Sequence, residues 1–122
     1  MLLQEVFDKV YDHFVTKKNP PSMSDGICRL KQNPNDPNSP RCAVGLFISE
    51  YRPSMEDDFL QDLIDDDAIP GIEGKDEEGV HSFWCRIQAT HDIAAPCPDF
   101  DVKVEEGLHE IALLYELKEI TK

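Results

Sequence analysis

The chain has 122 residues, of which 12 are Lys or Arg and 25 are Asp or Glu, for a formal net charge of −13. That size predicts one domain spanning residues 1–122, long enough to bury a real core. The charge balance excludes a binder of bare phosphate backbone, which needs basic partners, and fits steered encounter with a basic protein surface.

Residues 2–16 predict a helix. Leu2, Leu3, Val6, Phe7, Val10, Tyr11, Phe14 and Val15 recur at three-four spacing, with Glu5, Asp8, Lys9 and Asp12 on the other face. Lys17 and Lys18 complement the dipole at its C-terminal end, and Asn19-Pro20-Pro21 stops it. After a loop to Gly26, Ile27–Lys31 alternates apolar and basic residues, as a half-buried strand does. Residues 32–40 form a turn with three prolines, from which Arg41 can return as the partner strand of a small β-hairpin.

The run Cys42–Ile48 is the longest unbroken apolar stretch, and the rest of the chain is expected to wrap around it. A strand-like start at Arg41 should turn into a short helix across Val44–Ser49, with Gly45 permitting close backbone approach. Pro53–Asp57 predicts the start of the next helix, with Ser54 as its cap and Phe59, Leu60, Leu63 and Ile64 as its apolar face. Residues 66–79, rich in acids and Gly, read as a mobile acidic loop. A third helix is predicted from Val80 to Ala95, with Val80, Phe83, Trp84, Ile87 and His91 on one side and Pro96 and Pro98 ending it. The last should run from Asp101 to Lys118, with Val104, Leu108, Ile111, Ala112, Leu114 and Tyr115 inward and Gly107 weakening it. The expected fold class is therefore mainly α (α+β): four principal helices around a buried Cys42–Ile48 segment, with a small β-hairpin.

No stretch approaches the ~18 apolar residues of a membrane span. The first residues lack the basic region and cleavage site of a signal peptide, so a soluble, cytoplasmic protein is expected. In that compartment the four cysteines, Cys28, Cys42, Cys85 and Cys97, are expected to be reduced thiols.

Three constellations could carry chemistry. Cys42 with His91 is a candidate nucleophile and base, but Asp92 follows His91 directly on a helix, so the two side chains should diverge by about 100°. Core packing is the expected role of both residues. A metal site could draw on Cys28, Cys42, His81, Cys85, His91 and Cys97, of which His81 and Cys85 stand four apart on one helical face. No pair has Cys-x-x-Cys spacing, so no cofactor is expected and the protein should fold without a metal. The third is the acidic block from 56 to 78, which holds 11 acids against Lys75 alone. An EF-hand fails there because Ile69 stands at the fifth loop position. Asp57, Asp58, Asp62, Asp65, Asp66, Asp67, Glu73, Asp76, Glu77 and Glu78 are the candidate partner-binding residues.

Cys42-Ala-Val-Gly, followed by Tyr51, Pro53, Met55-Glu56 and then Gln88-x-x-His91-Asp92, resembles a layout found in a group of small uncharacterised phage, prophage and bacterial proteins. Those motifs are short, and no activity comes with the resemblance. Charge and the missing catalytic motifs point to a non-enzymatic acidic interaction protein; the resemblance implies a phage type, acting in the host cytoplasm and blocking a host defence or nucleic-acid-handling complex. The alternatives are a small enzyme using Cys42 and His91, or a metal-stabilised regulator.

Overall fold

The computed structural model describes residues 1–24, 27–33, 35–36 and 38–117. Gly26, Pro34, Pro37 and the expected helix end at Lys118 lie outside the described residues.

The chain is mainly helical. Helix α1 (Leu3–Tyr11) presents Val6, Phe7 and Val10 to the core and continues into a wider π-helical turn, Asp12–Thr16, that buries Phe14 and Val15. It ends where the lysine pair and the prolines predict. Lys18 takes a left-handed φ of 54°, and Asn19 donates from its backbone and its side chain to the His13 carbonyl. Helix α2 (Leu60–Asp65) packs on the long α3 (Glu77–Ala94), which in turn packs along α4 (Phe100–Tyr115). Asp76 caps α3, its carboxylate accepting from the Gly79 N–H at 2.8 Å. No helix among the described residues is long and apolar enough to cross a membrane.

The core is where the apolar periodicity puts it. Phe83, Trp84 and Ile87 of α3 meet Val104, Leu108 and Ile111 of α4 and the α1 face. The Cys42–Ile48 run lies within it, with Cys42, Ala43 and Val44 fully buried and a 3-10 turn at Gly45–Phe47. Phe47 sits edge-on to Trp84 at 5.1 Å, and the indole N–H reaches the Pro70 carbonyl at 3.3 Å.

The hairpin expected across Ile27–Arg41 does not form. Ile27–Cys28 pairs backward with Met23–Ser24 in a two-residue antiparallel ladder, and among the described residues one isolated bridge, Lys31 to Arg41, spans the proline turn. The physical reason is competition for the strand's amides. The Glu56 carboxylate takes the N–H groups of Leu30 at 2.8 Å and Lys31 at 3.0 Å. The Arg41 guanidinium, for its part, turns forward to donate to the carbonyls of Gly45 and Ile48.

Three smaller expectations also need correction. Residues 53–65 are not one helix capped by Ser54: Pro53–Asp57 is a separate 3-10 turn, and the chain restarts at Phe59, whose N–H is held by Asp62. Phe59 therefore points outward, 80 % exposed. The 66–79 loop is anchored by buried Ile69 and Ile72 and by a Glu73 N–H to Met1 carbonyl bond of 3.0 Å. Leu114, expected inward, is exposed at the end of a groove of about 380 Å³ between α3 and α4.

Candidate functional site

The two short motifs meet in space. Val44 of the Cys-Ala-Val-Gly segment donates its N–H to the Gln88 side chain at 2.9 Å. Gln88 passes the contact on, its amide nitrogen donating to Asp92 Oδ1 at 2.7 Å one helical turn along α3. His91 Nδ1 lies 2.8 Å from the same oxygen, so the neighbouring side chains that should have diverged in fact converge. Consecutive helical positions do point apart, but Nδ1 is the ring nitrogen nearest its own backbone, and a carboxylate turned toward it covers the remaining distance.

The other side of the imidazole fixes its state. The Ser22 N–H donates to His91 Nε2 at 3.0 Å, so Nε2 carries the lone pair and Nδ1 the proton it gives to Asp92. The ring is 1 % exposed and packs between Phe14 and Phe100 at centroid distances of 5.6 and 5.7 Å. A neutral His91 thus ties α3 to the chain just after the proline pair.

Cys42 is fully buried, its sulfur accepting the Gly45 N–H at 3.2 Å. Burial pushes the thiol up to about 12, against an ordinary 9.0. A nucleophile needs the opposite environment, one that stabilises thiolate. The raised value means less thiolate at any working pH, so an alkylating reagent near neutrality should leave Cys42 unmodified until the protein unfolds. Cys85, exposed on α3, should react well before it, although burial raises that thiol as well. Peptide mass mapping after a timed iodoacetamide pulse would test this order. Early, stoichiometric labelling of Cys42 would restore the nucleophile.

Of the metal candidates, His81 and Cys85 are neighbours, with the sulfur 3.7 Å from the ring nitrogens. Among the described residues no third His, Cys, Asp or Glu joins them. The group of three that does converge is one the spacing could not reveal: Cys28, His91 and Asp92 each place a ligand atom within 4.8 Å of the other two. Cys28 reaches it from the short ladder, its thiol 3.9 Å from the Asp92 carbonyl. It is held up at about 11 by burial and then by the Asp92 charge.

The ten candidate partner-binding acids are all solvent-exposed, and among the described residues none is ion-paired. They run through three successive elements: Asp57 and Asp58 at the 3-10 turn, Asp62 and Asp65–Asp67 on and just after α2, and Glu73 with Asp76–Glu78 leading into α3. The hydrogen bonds of Asp62, Asp65 and Asp76 are local, to Phe59, Gln61 and Gly79. Glu56, by sequence a member of the same block, is instead turned inward on Leu30, Lys31 and Tyr51. Comparison with protein-family models, with curated proteins and with solved structures finds no match.

Proposed function

We propose that this is a small acidic, non-enzymatic interaction protein of phage type. On this reading it binds a basic surface on a host protein and so blocks a defence or nucleic-acid-handling complex in the host cytoplasm. One observation supports it above all: ten exposed carboxylates without cationic partners among the described residues lie between residues 57 and 78, with Phe59 80 % exposed between Asp58 and Asp62. Unpaired acids repel one another, so such a series disfavours the compact state and gains only when a basic surface meets it. An aromatic ring set among the charges supplies the apolar anchor that interfaces favour. The buried, poorly ionised Cys42 lends no support to a cysteine-dependent enzyme.

The test is a lysine reversal at Asp57, Asp58, Asp62 and Asp65–Asp67. The fold should survive, because exposed charges contribute little to stability. Association with a partner captured from host lysate should slow by about tenfold or more, and its salt dependence should flatten. Salt-dependent capture by the unmodified chain, lost on reversal while the variant still melts cooperatively, supports the reading. Equal capture and equal rates in both chains would return the acids to a merely solvated role.

A further inference from the structure

We propose that Cys28, His91 and Asp92 form a site for a thiophilic divalent cation of the zinc type, bound by Cys28 Sγ, His91 Nδ1 and the Asp92 carboxylate. The placement carries the proposal. Three side chains of the types zinc prefers bring one ligand atom each to within 4.8 Å of one another, though His91 stands 63 positions after Cys28. Zinc bonds of about 2.0–2.3 Å set tetrahedral ligand atoms roughly 3.3–3.6 Å apart, so the sulfur would have to close in by about an ångström and the 2.8 Å His91–Asp92 contact would have to open slightly.

The surroundings have the parts such a site needs. Gln88 donates to Asp92 Oδ1 and is itself held by the Val44 N–H, so the carboxylate is oriented from behind, as ligating carboxylates are. Cys28 and Gln88 also line a cavity of about 180 Å³ beside the cluster, shared with Arg29 and Glu56. The Asp92 side chain is 40 % exposed and His91 wholly buried, so the cluster sits at the base of an opening rather than sealed in the core.

Proton placement explains an otherwise odd group. In the metal-free arrangement the Nδ1 proton points at Asp92 and Nε2 accepts from Ser22. A cation on Nδ1 moves the ring proton to Nε2, which then needs an acceptor. The Ser22 hydroxyl, on the residue whose amide now occupies Nε2, is buried and has no hydrogen-bond partner. It can take that proton's hydrogen bond once the amide gives way. Cys28 ligates as thiolate, so binding releases its thiol proton to solvent and tightens as pH rises. The metal-free cluster is already held by the Ser22, Gln88 and Asp92 hydrogen bonds, so the fold does not wait for the cation.

Cobalt(II), a spectroscopic stand-in for zinc, tests this on the full chain under reducing, oxygen-free conditions. The expected result is a thiolate-to-cobalt charge-transfer band saturating at one equivalent and bleached by zinc. Cys28→Ser should abolish the band, Asp92→Asn should weaken binding by about tenfold or more, and Cys85→Ser should change nothing. No thiolate band in the unmodified chain, or a band that survives Cys28→Ser and disappears in Cys85→Ser, would overturn the proposal; the second pattern would assign the cation to His81 and Cys85. If Cys28→Ser fails to fold, protection from alkylation decides in the unmodified chain: zinc should shield Cys28 and leave Cys85 reactive, and the reverse pattern refutes the site.

Discussion

Replacing Gly45 by alanine is expected to destabilise the protein by about 3 kcal/mol, near the top of the range for an overpacked core. A Cβ at this position would collide with the Leu30 carbonyl oxygen and sit 3.4 Å from the Arg41 Cβ. The Leu30 oxygen cannot step aside cheaply, because it already accepts the Cys42 N–H at 3.1 Å. The Gly45 carbonyl is engaged as well, by the Arg41 guanidinium at 3.0 Å. Yielding space to one methyl group would thus break the bridge that lays the Leu30 strand on the Cys-Ala-Val-Gly turn. Urea titration of Gly45→Ala beside Gly71→Ala is the measurement. Gly71 lies on an open loop, where an added Cβ would meet nothing within 4 Å, so that change should stay within about 0.5 kcal/mol. Equal midpoints for the two variants would show that the close approach at Gly45 can relax.

The sequence foretold this contact better than it foretold the strands around it. A glycine inside an unbroken apolar run has few reasons to be there except close packing, so Gly45 was legible from its neighbours alone. The same holds for α1, α3 and α4, where apolar residues at three-four spacing mark the buried face whatever they pack against. Gly107, expected to weaken α4, also has a packing role, since a Cβ there would meet Thr90 of α3 at 2.8 Å. What periodicity cannot see is a partner distant in sequence. The amides of Ile27–Lys31 look available for a hairpin until Glu56, 26 residues beyond Leu30, takes two of them. Phe59 continues the apolar pattern of a helix that the 3-10 turn has already broken, so the pattern misplaces it inward.

The candidate site divides along the same line. Burial of Cys42 and His91 follows from the apolar residues beside them, and exposure of the acids follows from their number. The convergence of Cys28 on His91 and Asp92 depends on how a short ladder docks against α3, and no local signal encodes it. Glu56 shows the limit of composition from the other direction: its charge places it with the acids, and its geometry places it in the frame.

That geometry makes Glu56→Ala the second large effect, a loss of about 3 kcal/mol. The carboxylate accepts from the N–H groups of Leu30 and Lys31 and, at 2.6 Å, from the Tyr51 hydroxyl. Bonds to a charged acceptor are worth about 1.5–3 kcal/mol each, and partial exposure lets water replace part of what is lost. Glu56→Gln should fall between, at about 2 kcal/mol, because an amide offers one acceptor oxygen to two backbone donors and turns its NH₂ toward the other. Tyr51→Phe removes one bond and should cost about 1 kcal/mol. A spectroscopic readout separates this clamp from general softening. The Tyr51 phenol is raised above its ordinary 10.0, first by burial and then by its bond to Glu56 and the carboxylate's charge. A proton held more tightly in the folded state contributes stability that is complete below pH 10.0 and is lost as alkali climbs through the folded value. Ultraviolet titration of the phenols should therefore show the Tyr51 step ionising earlier in Glu56→Gln than in the unmodified protein, read as the difference between the two curves while both remain folded. Stabilities of Glu56→Ala and Tyr51→Phe that coincide would show that the two backbone amides gain nothing from the carboxylate.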